Sequence, residues 1–339
     1  MGYQLTTDQM SRLFDRWKEA YLVYGPRRME GEGMYSDTDV ICYGQLSTFE
    51  ELELENKSDY SFKEVLLPIT QLLFYFTEDT VKEANAEWTR DAVVFLRSCD
   101  FHALKRLDEL YMKNGYKDYY YQRLREHVKF VLIGCHESCA QGFCVSMGTN
   151  RCEDYDAAIN LRDGLIGLDV RSRRLEAALH HMEADAAIPH MDVTADYVTE
   201  NHVTVTIPSG LTPGIASSPL WDEYDSRCIA CGRCNFVCPT CTCFTMQDIF
   251  YTDNGKAGER RRVHASCMVD GYTDVAGGSY RKKNGERMRF KVLHKMYDFN
   301  KRYGYHMCVG CGRCDDVCPE YISFSGCVNK LNTAVKEGR

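Results

Sequence analysis

The stretch Cys228-Ile229-Ala230-Cys231-Gly232-Arg233-Cys234-Asn235-Phe236-Val237-Cys238-Pro239 decides how this chain reads. It recurs as Cys308-Val309-Gly310-Cys311-Gly312-Arg313-Cys314-Asp315-Asp316-Val317-Cys318-Pro319. Each copy spaces three cysteines two residues apart and places a fourth three residues later, followed by proline. In this pattern three thiolates wrap a short loop around one 4Fe-4S cube, and the Cys-Pro reaches the neighbouring cube. The expected ligand sets are therefore Cys228, Cys231, Cys234 and Cys318 for one cluster, and Cys308, Cys311, Cys314 and Cys238 for the other. Ala230, Gly232, Gly310 and Gly312 are small enough to let backbone N–H groups approach the sulfurs. A zinc or disulfide knuckle is the competing reading, but zinc sites close with local ligands and need no Cys-x3-Cys-Pro ending.

Outward from these runs, 339 residues with 44% apolar content suffice for two domains and a sizeable core. Eighteen cysteines in a chain this large, clustered at metal spacings, do not describe a disulfide scaffold. The polar, amphipathic start MGYQLTTDQMSRLF does not read as a signal peptide, and Val65 to Phe76 is too short and interrupted to span a bilayer. A cytoplasmic, reducing and anaerobic setting is expected, without membrane attachment. The net charge of −8 argues against general nucleic-acid binding and suits redox partners that recognise local charge.

Before the runs, Met10, Leu13, Phe14, Trp17 and Tyr21 predict a docking helix over Thr6 to Tyr24, stopped by Pro26. Val40 to Gln45 reads as a strand, and Phe62 to Phe76 as a buried segment of undecided state divided by Pro68. Ala92 to Leu96 and Val128 to Ile133 are short apolar runs suited to buried strands, with helical period over Phe101 to Met112 between them. A strand over Leu165 to Val170 and a helix over Arg173 to Ala184 follow. Residues 1–215 are expected to form an α/β domain with parallel strands, and Pro208 to Pro219 a linker. Residues 216–339 are expected to form an α+β dicluster ferredoxin domain of bacterial type with a long helical insertion at 239–307. Within it, Phe244 to Tyr251 is read as helix, Asp253-Asn254-Gly255 as a turn, and Gly285 to Tyr303 as helix. Lys and Arg crowd the span from Arg281 to Arg302, with Glu286 and Asp298 its acids. This basic run reads as a solvated face, as compensation for thiolate-bound clusters, or as a dock for an acidic partner.

Cys99 and Cys135 each follow a predicted strand. If those strands are parallel neighbours, both cysteines lie at the carboxyl edge of the sheet, where open α/β folds place ligands. Cys139 and Cys144 share the loop with Cys135, so a possible third 4Fe-4S cluster held by Cys99, Cys135, Cys139 and Cys144 is expected, with His136 or Asp100 as substitutes for one thiol. The competing reading is small buried thiols. Cys241, Cys243 and Cys267 read as pocket-lining thiols, and Cys42, Cys152 and Cys327 as packing residues. No phosphate-cradling glycine motif, nucleophile elbow or zinc-protease motif occurs, so the chain carries no evident catalytic centre and no nucleotide site of its own. His180-His181 cannot both face one metal.

The segments CPTCTCF, HASCMVDGY and HKMYDFNKRYGYHMCVGCGRC resemble the dicluster iron-sulfur subunits of soluble multi-subunit redox enzymes. RSCDFHALKRLDELY and CHESCAQGFCVSMG extend the likeness into the first domain. The resemblance is to the A subunits of anaerobic sulfite reductases, with sulfhydrogenase beta subunits as relatives. It implies an oxidoreductase subunit carrying electrons from a flavin subunit that oxidises NADH to a sirohaem subunit that reduces sulfite to sulfide. The alternatives are the beta subunit of a soluble hydrogenase or sulfhydrogenase, or a free ferredoxin-like carrier. A redox-sensing protein would need an effector element, and none is evident.

Overall fold

The computed structural model describes residues 2–84, 88, 90–183 and 188–336. The chain opens with strand β1 (Gly2–Thr6) and helix α1 (Thr7–Ala20). Thr6 closes a capping box with Gln9, which satisfies two N–H groups that the first turn leaves without partners. Met10, Leu13, Phe14 and Trp17 lie on the buried face of α1. Each contributes about 1.5–3 kcal/mol by leaving water. There follow β2 (Leu22–Met29), β3 (Val40–Gln45), α2 (Lys63–Leu66), β4 (Thr70–Phe76), β5 (Val81–Glu83), β6 (Ala92–Arg97), α3 (Ser98–Met112), α4 (Tyr119–Arg125), β7 (Val128–Ile133), β8 (Ala157–Arg162), β9 (Leu165–Val170) and α5 (Arg173–Glu183). Ala184, the last residue of the helix expected there, lies outside the described residues.

Seven strands form one sheet in the order β1-β9-β8-β7-β6-β2-β3. The strands β2, β6, β7 and β8 run parallel, whereas β1, β9 and β3 are antiparallel to their neighbours. The sheet is thus mixed where a parallel one was expected. Alternation along β6 sends Val93 and Phe95 into one core with α1 and α5, and Ala92, Val94 and Leu96 into another with α3 and α4. Two apolar faces explain why this strand has no polar alternation. Helix α1 ends at Ala20, and Pro26 lies inside β2 rather than after a helix. Proline is tolerated there because β6 pairs only with Leu22 to Tyr24, so no N–H is required of position 26 on that side.

The second half carries α6 (Glu223–Arg227), α7 (Arg233–Phe236), β10 (Phe244–Phe250), β11 (Gly258–His264), α8 (Asn284–Leu293), α9 (Phe299–Tyr303), α10 (Arg313–Asp316) and α11 (Phe324–Lys336). Within Phe244 to Tyr251, Phe244 to Phe250 is therefore strand, not helix. The Asp253-Asn254-Gly255 turn folds β10 back on β11 with Phe244 opposite His264, and the ladder outweighs whatever helical bias the segment has. The insertion is a hairpin followed by a helix, and a π-turn at His294–Asp298 joins α8 to α9. β11 also pairs with β4, so a four-stranded sheet β10-β11-β4-β5 draws on both sides of residue 215. Arg262 of β11 reinforces this seam by donating to Asp118 at 2.7 Å and Gln71 at 2.6 Å. Among the described residues no helix is long and apolar enough to cross a membrane.

Candidate metal centre

In each cysteine run the backbone turns left-handed twice, at Ala230 and Gly232 and at Gly310 and Gly312, before a one-turn helix, α7 or α10, begins. The turn aims amides at sulfur. Ala230 N–H donates to Cys228 Sγ at 3.4 Å, Gly310 N–H to Cys308 Sγ at 3.4 Å, and Ile322 N–H to Cys318 Sγ at 3.3 Å. Glycine is required at Gly312 for a second reason: a Cβ there would stand 2.3 Å from the Gln141 carbonyl oxygen.

Two adjacent cavities result. One is lined by Cys228, Cys231, Cys234 and Cys318, with Met268 and Met288. The other is lined by Cys238, Cys308, Cys311 and Cys314, with Phe143 and Val309. Cys234 and Cys314 border both cavities, as do Lys291 and Phe324. Each cavity thus gathers three cysteines of one run and the Cys-Pro of the other.

Three buried cations face these thiols. Lys295 donates to Cys238 Sγ at 3.3 Å and Thr240 Oγ1 at 2.8 Å. Burial works to lower its pKa, and the opposing pull of Cys238, Cys241 and Cys308 leaves it raised. Lys291 behaves alike: burial lowers and Cys234 and Cys314 raise, with the raising influence dominant. Lys63 reaches the Asn235 carbonyl at 3.0 Å, and burial leaves its pKa lowered. Among the described residues none of the three forms an ion pair with a carboxylate. A buried ammonium costs several kcal/mol unless compensated, so the wall calls for negative charge inside it. Burial meanwhile pushes Cys308 up to about 12 and Cys314 well above its ordinary value. Cys238 is the exception: the hydrogen bond from Cys241, with Lys295 and Lys63 nearby, holds it well below the usual thiol range against burial, so Lys295 already faces a thiolate. The remaining neutral thiols beside Lys291 are a mismatch that thiolate-bound iron removes, with release of protons. Among the described residues no three His, Cys, Asp or Glu side chains close around a single metal ion. The thiols are instead spread around the cavity walls, which suits a cube better than a zinc tetrahedron. The residues present fit 4Fe-4S clusters.

The third cysteine set lies against the second cavity. β6 and β7 are parallel neighbours, with Arg97 opposite Ile133, so Cys99 in the first turn of α3 and Cys135 just past β7 share the carboxyl edge. Cys135 and Cys139 are close enough to Cys144 to help raise its pKa, and Cys144 is close enough to Cys99 to do the same there. Burial is the larger cause in both, pushing Cys144 up to about 11. Arg97, about 5% exposed, points Nη1 at Cys135 Sγ from 3.5 Å and spends its other amine on the carbonyls of Leu54 and Asn56. Asn201 donates to Cys144 Sγ at 3.6 Å. Asp100 is turned away, into a fully buried ion pair with Arg313, and His136 sits on Asp196 at 3.2 Å.

The loop carrying this third set packs on the second run. Phe143 N–H donates to the Gly310 carbonyl at 2.7 Å, and Thr149 Oγ1 to the Val309 carbonyl at 2.6 Å. Lys57 bonds the Cys311 carbonyl at 2.8 Å and pairs with Asp316 at 2.6 Å; Asp316, then Cys139 and Cys311, raise its pKa against burial. The order in space is the Cys99 set, the Cys308 set, then the Cys228 set. Cys241, Cys243 and Cys267 line neither cavity. Cys327 is packed in the C-terminal core, and Cys42 and Cys152 are half-buried. Sequence reasoning missed the roles of Lys63, Arg97 and Lys57. Lys291 and Lys295 lay within the basic run, and the signal was present: Arg287, Lys291 and Lys295 recur at helical spacing, each followed by an apolar residue, which marks a buried face.

Residues 227–322 match the family described as a 4Fe-4S dicluster domain. With the paired cavities, this defines the chain as an iron-sulfur protein of the electron-transfer type. Over 99% of its length, and 98% of the relative's, the chain is 28% identical to sulfhydrogenase 2 subunit beta of Pyrococcus furiosus. No solved structure matches the chain.

Proposed function

We propose that the chain is the iron-sulfur electron-carrying subunit of a multi-subunit reductase that takes electrons from an NADH-oxidising flavin subunit and delivers them to a sirohaem subunit reducing sulfite. Bound clusters supply one-electron carriers; everything else derives from the protein. Cys228, Cys231, Cys234 and Cys318 would hold one 4Fe-4S cluster, Cys308, Cys311, Cys314 and Cys238 a second, and Cys99, Cys135, Cys139 and Cys144 a third. The observation that carries the reading is the contiguity of the three thiol sets, the middle one walled by Phe143 and Val309 on one side and Lys291 and Phe324 on the other. Buried ammonium groups favour the more negative, reduced form of whatever the thiols hold, and the apolar walls exclude water. A simple carrier needs no third set and no seven-stranded domain over it.

The choice of sulfite rests on the motif resemblance at CPTCTCF and HASCMVDGY. A second reading, the iron-sulfur subunit of a soluble hydrogenase, is favoured by the full-length similarity to a sulfhydrogenase beta subunit. The test is cofactor analysis of the complex purified from its source without oxygen. Sirohaem with flavin and about twelve iron atoms per chain of this subunit supports the proposal, since each cube carries four irons. Nickel without sirohaem transfers the chain to the hydrogenase reading, about eight irons removes the third cluster, and a chain isolated alone revives the free carrier.

A further inference from the structure

The insertion supplies three cysteines that the cavities leave unused, and two of them are brought together by its hairpin. Cys243 immediately precedes β10 and Cys267 follows β11 by three residues, at the same open end of the hairpin. The ladder continues past its last strand pair, with Ala265 N–H donating to the Cys243 carbonyl at 2.9 Å. The two side chains hydrogen-bond to each other. The Asn235 side-chain amide, about 1% exposed, donates to Cys267 Sγ at 3.1 Å, and the Tyr272 hydroxyl donates to the carbonyl of Phe244, next to Cys243, at 3.4 Å. Cys267 is about 4% exposed, whereas Cys243 is half-buried. Cys243 is thus the more exposed residue of the two.

We propose that Cys243 and Cys267 form a redox-active dithiol/disulfide site that exchanges with small-molecule disulfides, Cys243 being the attacking sulfur and Cys267 the resolving one. In the first step the Cys243 thiolate attacks one sulfur of a small disulfide RSSR. A Cys243–SR bond forms, the S–S bond breaks, and RS⁻ leaves. In the second, Cys267 transfers its proton to the medium and attacks Cys243 Sγ, forming the Cys243–Cys267 bond and expelling a second RS⁻. In sum the pair loses two electrons and the one proton of Cys267, and RSSR becomes two thiolates, which take up protons from the medium according to their own pKa. The reverse sequence, driven by a small thiol, restores the dithiol.

The chemistry of the pair suits these roles. The hydrogen bond from Cys267 holds Cys243 down to about 6 against the opposing effect of burial, which makes it a thiolate at neutral pH. The same bond and burial keep Cys267 protonated until exchange brings a disulfide beside it. The site also touches the first cysteine run. Asn235 follows Cys234, and its side-chain Oδ1 accepts from Cys234 Sγ at 3.9 Å while its side-chain amide nitrogen donates to Cys267. Oxidation of the pair thus changes the sulfur that accepts from the residue next to the first cavity. The proposal does not depend on the final electron acceptor of the complex.

The test uses the full chain in its native complex, prepared without oxygen and incubated in buffers of defined oxidised-to-reduced glutathione ratio. Acid quenching, alkylation and peptide mass analysis follow, with iron counted in parallel. The expected result is a Cys243–Cys267 linked peptide that rises with oxidised glutathione and disappears with excess reduced glutathione, with loss of two alkylatable thiols and no loss of iron. In Cys267→Ser, one glutathione is retained at Cys243. In Cys243→Ser, none is retained at Cys267, because that sulfur is buried. Absence of the linked peptide in the iron-loaded wild type at every ratio overturns the proposal without recourse to any variant. So does glutathione trapped at other cysteines in Cys267→Ser, or a linked peptide that appears only as iron is lost.

Discussion

Gly232-Arg233 and Gly312-Arg313 occupy the same place in the two cysteine runs, yet Arg233 is exposed and Arg313 is about 1% exposed. Around the first run Cys231 is exposed, Ile229 is 57% exposed and Tyr321 is 89% exposed. Around the second, Arg313 forks onto Asp100 at 2.7 and 2.9 Å and onto the Ser58 carbonyl and hydroxyl, while Lys57 covers Cys311. One sequence pattern thus meets two environments. The difference lies in what the first 160 or so residues place over the second run: Ser58, Asp100, Gln141 and Phe143 all come from the α/β half. A duplicated motif can diverge in role without changing its ligands, one copy facing outward and the other sealed at a junction.

The sharpest test of this contrast is electrostatic. Asp100→Ala leaves the Arg313 guanidinium buried without its counter-charge, and such orphaned charges cost about 3–5 kcal/mol. Arg233→Ala, at the equivalent exposed position, should stay within about 0.5 kcal/mol of wild type. Urea midpoints of the two variants and wild type measure both, and equal effects would show that the second run is not the anchored one. Next in size come the glycines. A Cβ at Gly312 meets backbone, the Gln141 carbonyl at 2.3 Å, whereas at Gly232 it meets the Val269 side chain at 2.6 Å, which can rotate aside. Both positions carry positive φ, so both alanine variants bear backbone strain of about 1–3 kcal/mol. Gly312→Ala should lose more stability and also loosen the Cys139–Cys144 loop, read as faster alkylation of those thiols. Equal losses would mean that backbone strain alone decides.

Much of this was legible from residues. The spacing of the two runs named eight cysteines that the fold then lines around two cavities, and two apolar runs ending near Cys99 and Cys135 anticipated parallel neighbours sharing an edge. The hairpin at Phe244 was misread because its pattern has no clean alternation: all seven residues of β10 are exposed, so burial never imposed a period of two. β1, β2 and β8 were missed because their strand character comes from neighbours distant in sequence, as when Gly2 to Thr6 pairs with Leu165 to Asp169, and because the helical period before Pro26 drew Leu22 to Tyr24 into the helix. The ion pair of Asp100 with Arg313 could not be read at all, since nothing local ties residues so far apart. The buried face of α8 was readable in principle, but a lysine among apolar neighbours is ordinarily a surface lysine, and only the nearby thiols make Lys291 and Lys295 interior residues.

The lysines sharpen the comparison in redox terms. Lys295 lies beside Cys238 and Cys308, which line the second cavity, and does not line the first. Replacing it with methionine removes a positive charge that favours the reduced form, so the potential associated with the Cys308 set should fall by on the order of 60 mV, the one-electron equivalent of a tenfold change in equilibrium constant. The Cys228 set should move much less. Lys291→Met, at the wall shared by both cavities, should lower both. Spectroscopically monitored redox titrations of the loaded protein decide the matter, and equal shifts in Lys295→Met would erase the distinction.

The smallest expected effect concerns acid. Burial lowers His264 to about 4, assisted by Lys63 and Arg262, and burial also lowers His306, which precedes Cys308. His264 ends β11, on the strand leading to Ser266 and Val269, which pack over Gly232 on the first-run side. For a histidine whose folded pKa lies below its unfolded value of about 6.5, the unfolded chain binds more protons throughout the interval between them. Its stabilising contribution is thus fully present above pH 6.5 and declines as pH falls toward 4. Urea midpoints at pH 7 and about pH 5.5 should drop in the wild type and drop less in His264→Gln, with His306→Gln intermediate. A flatter profile in His306→Gln than in His264→Gln would place the acid-sensitive contact at the sealed run instead of the exposed one, the reverse of what burial of these two imidazoles implies.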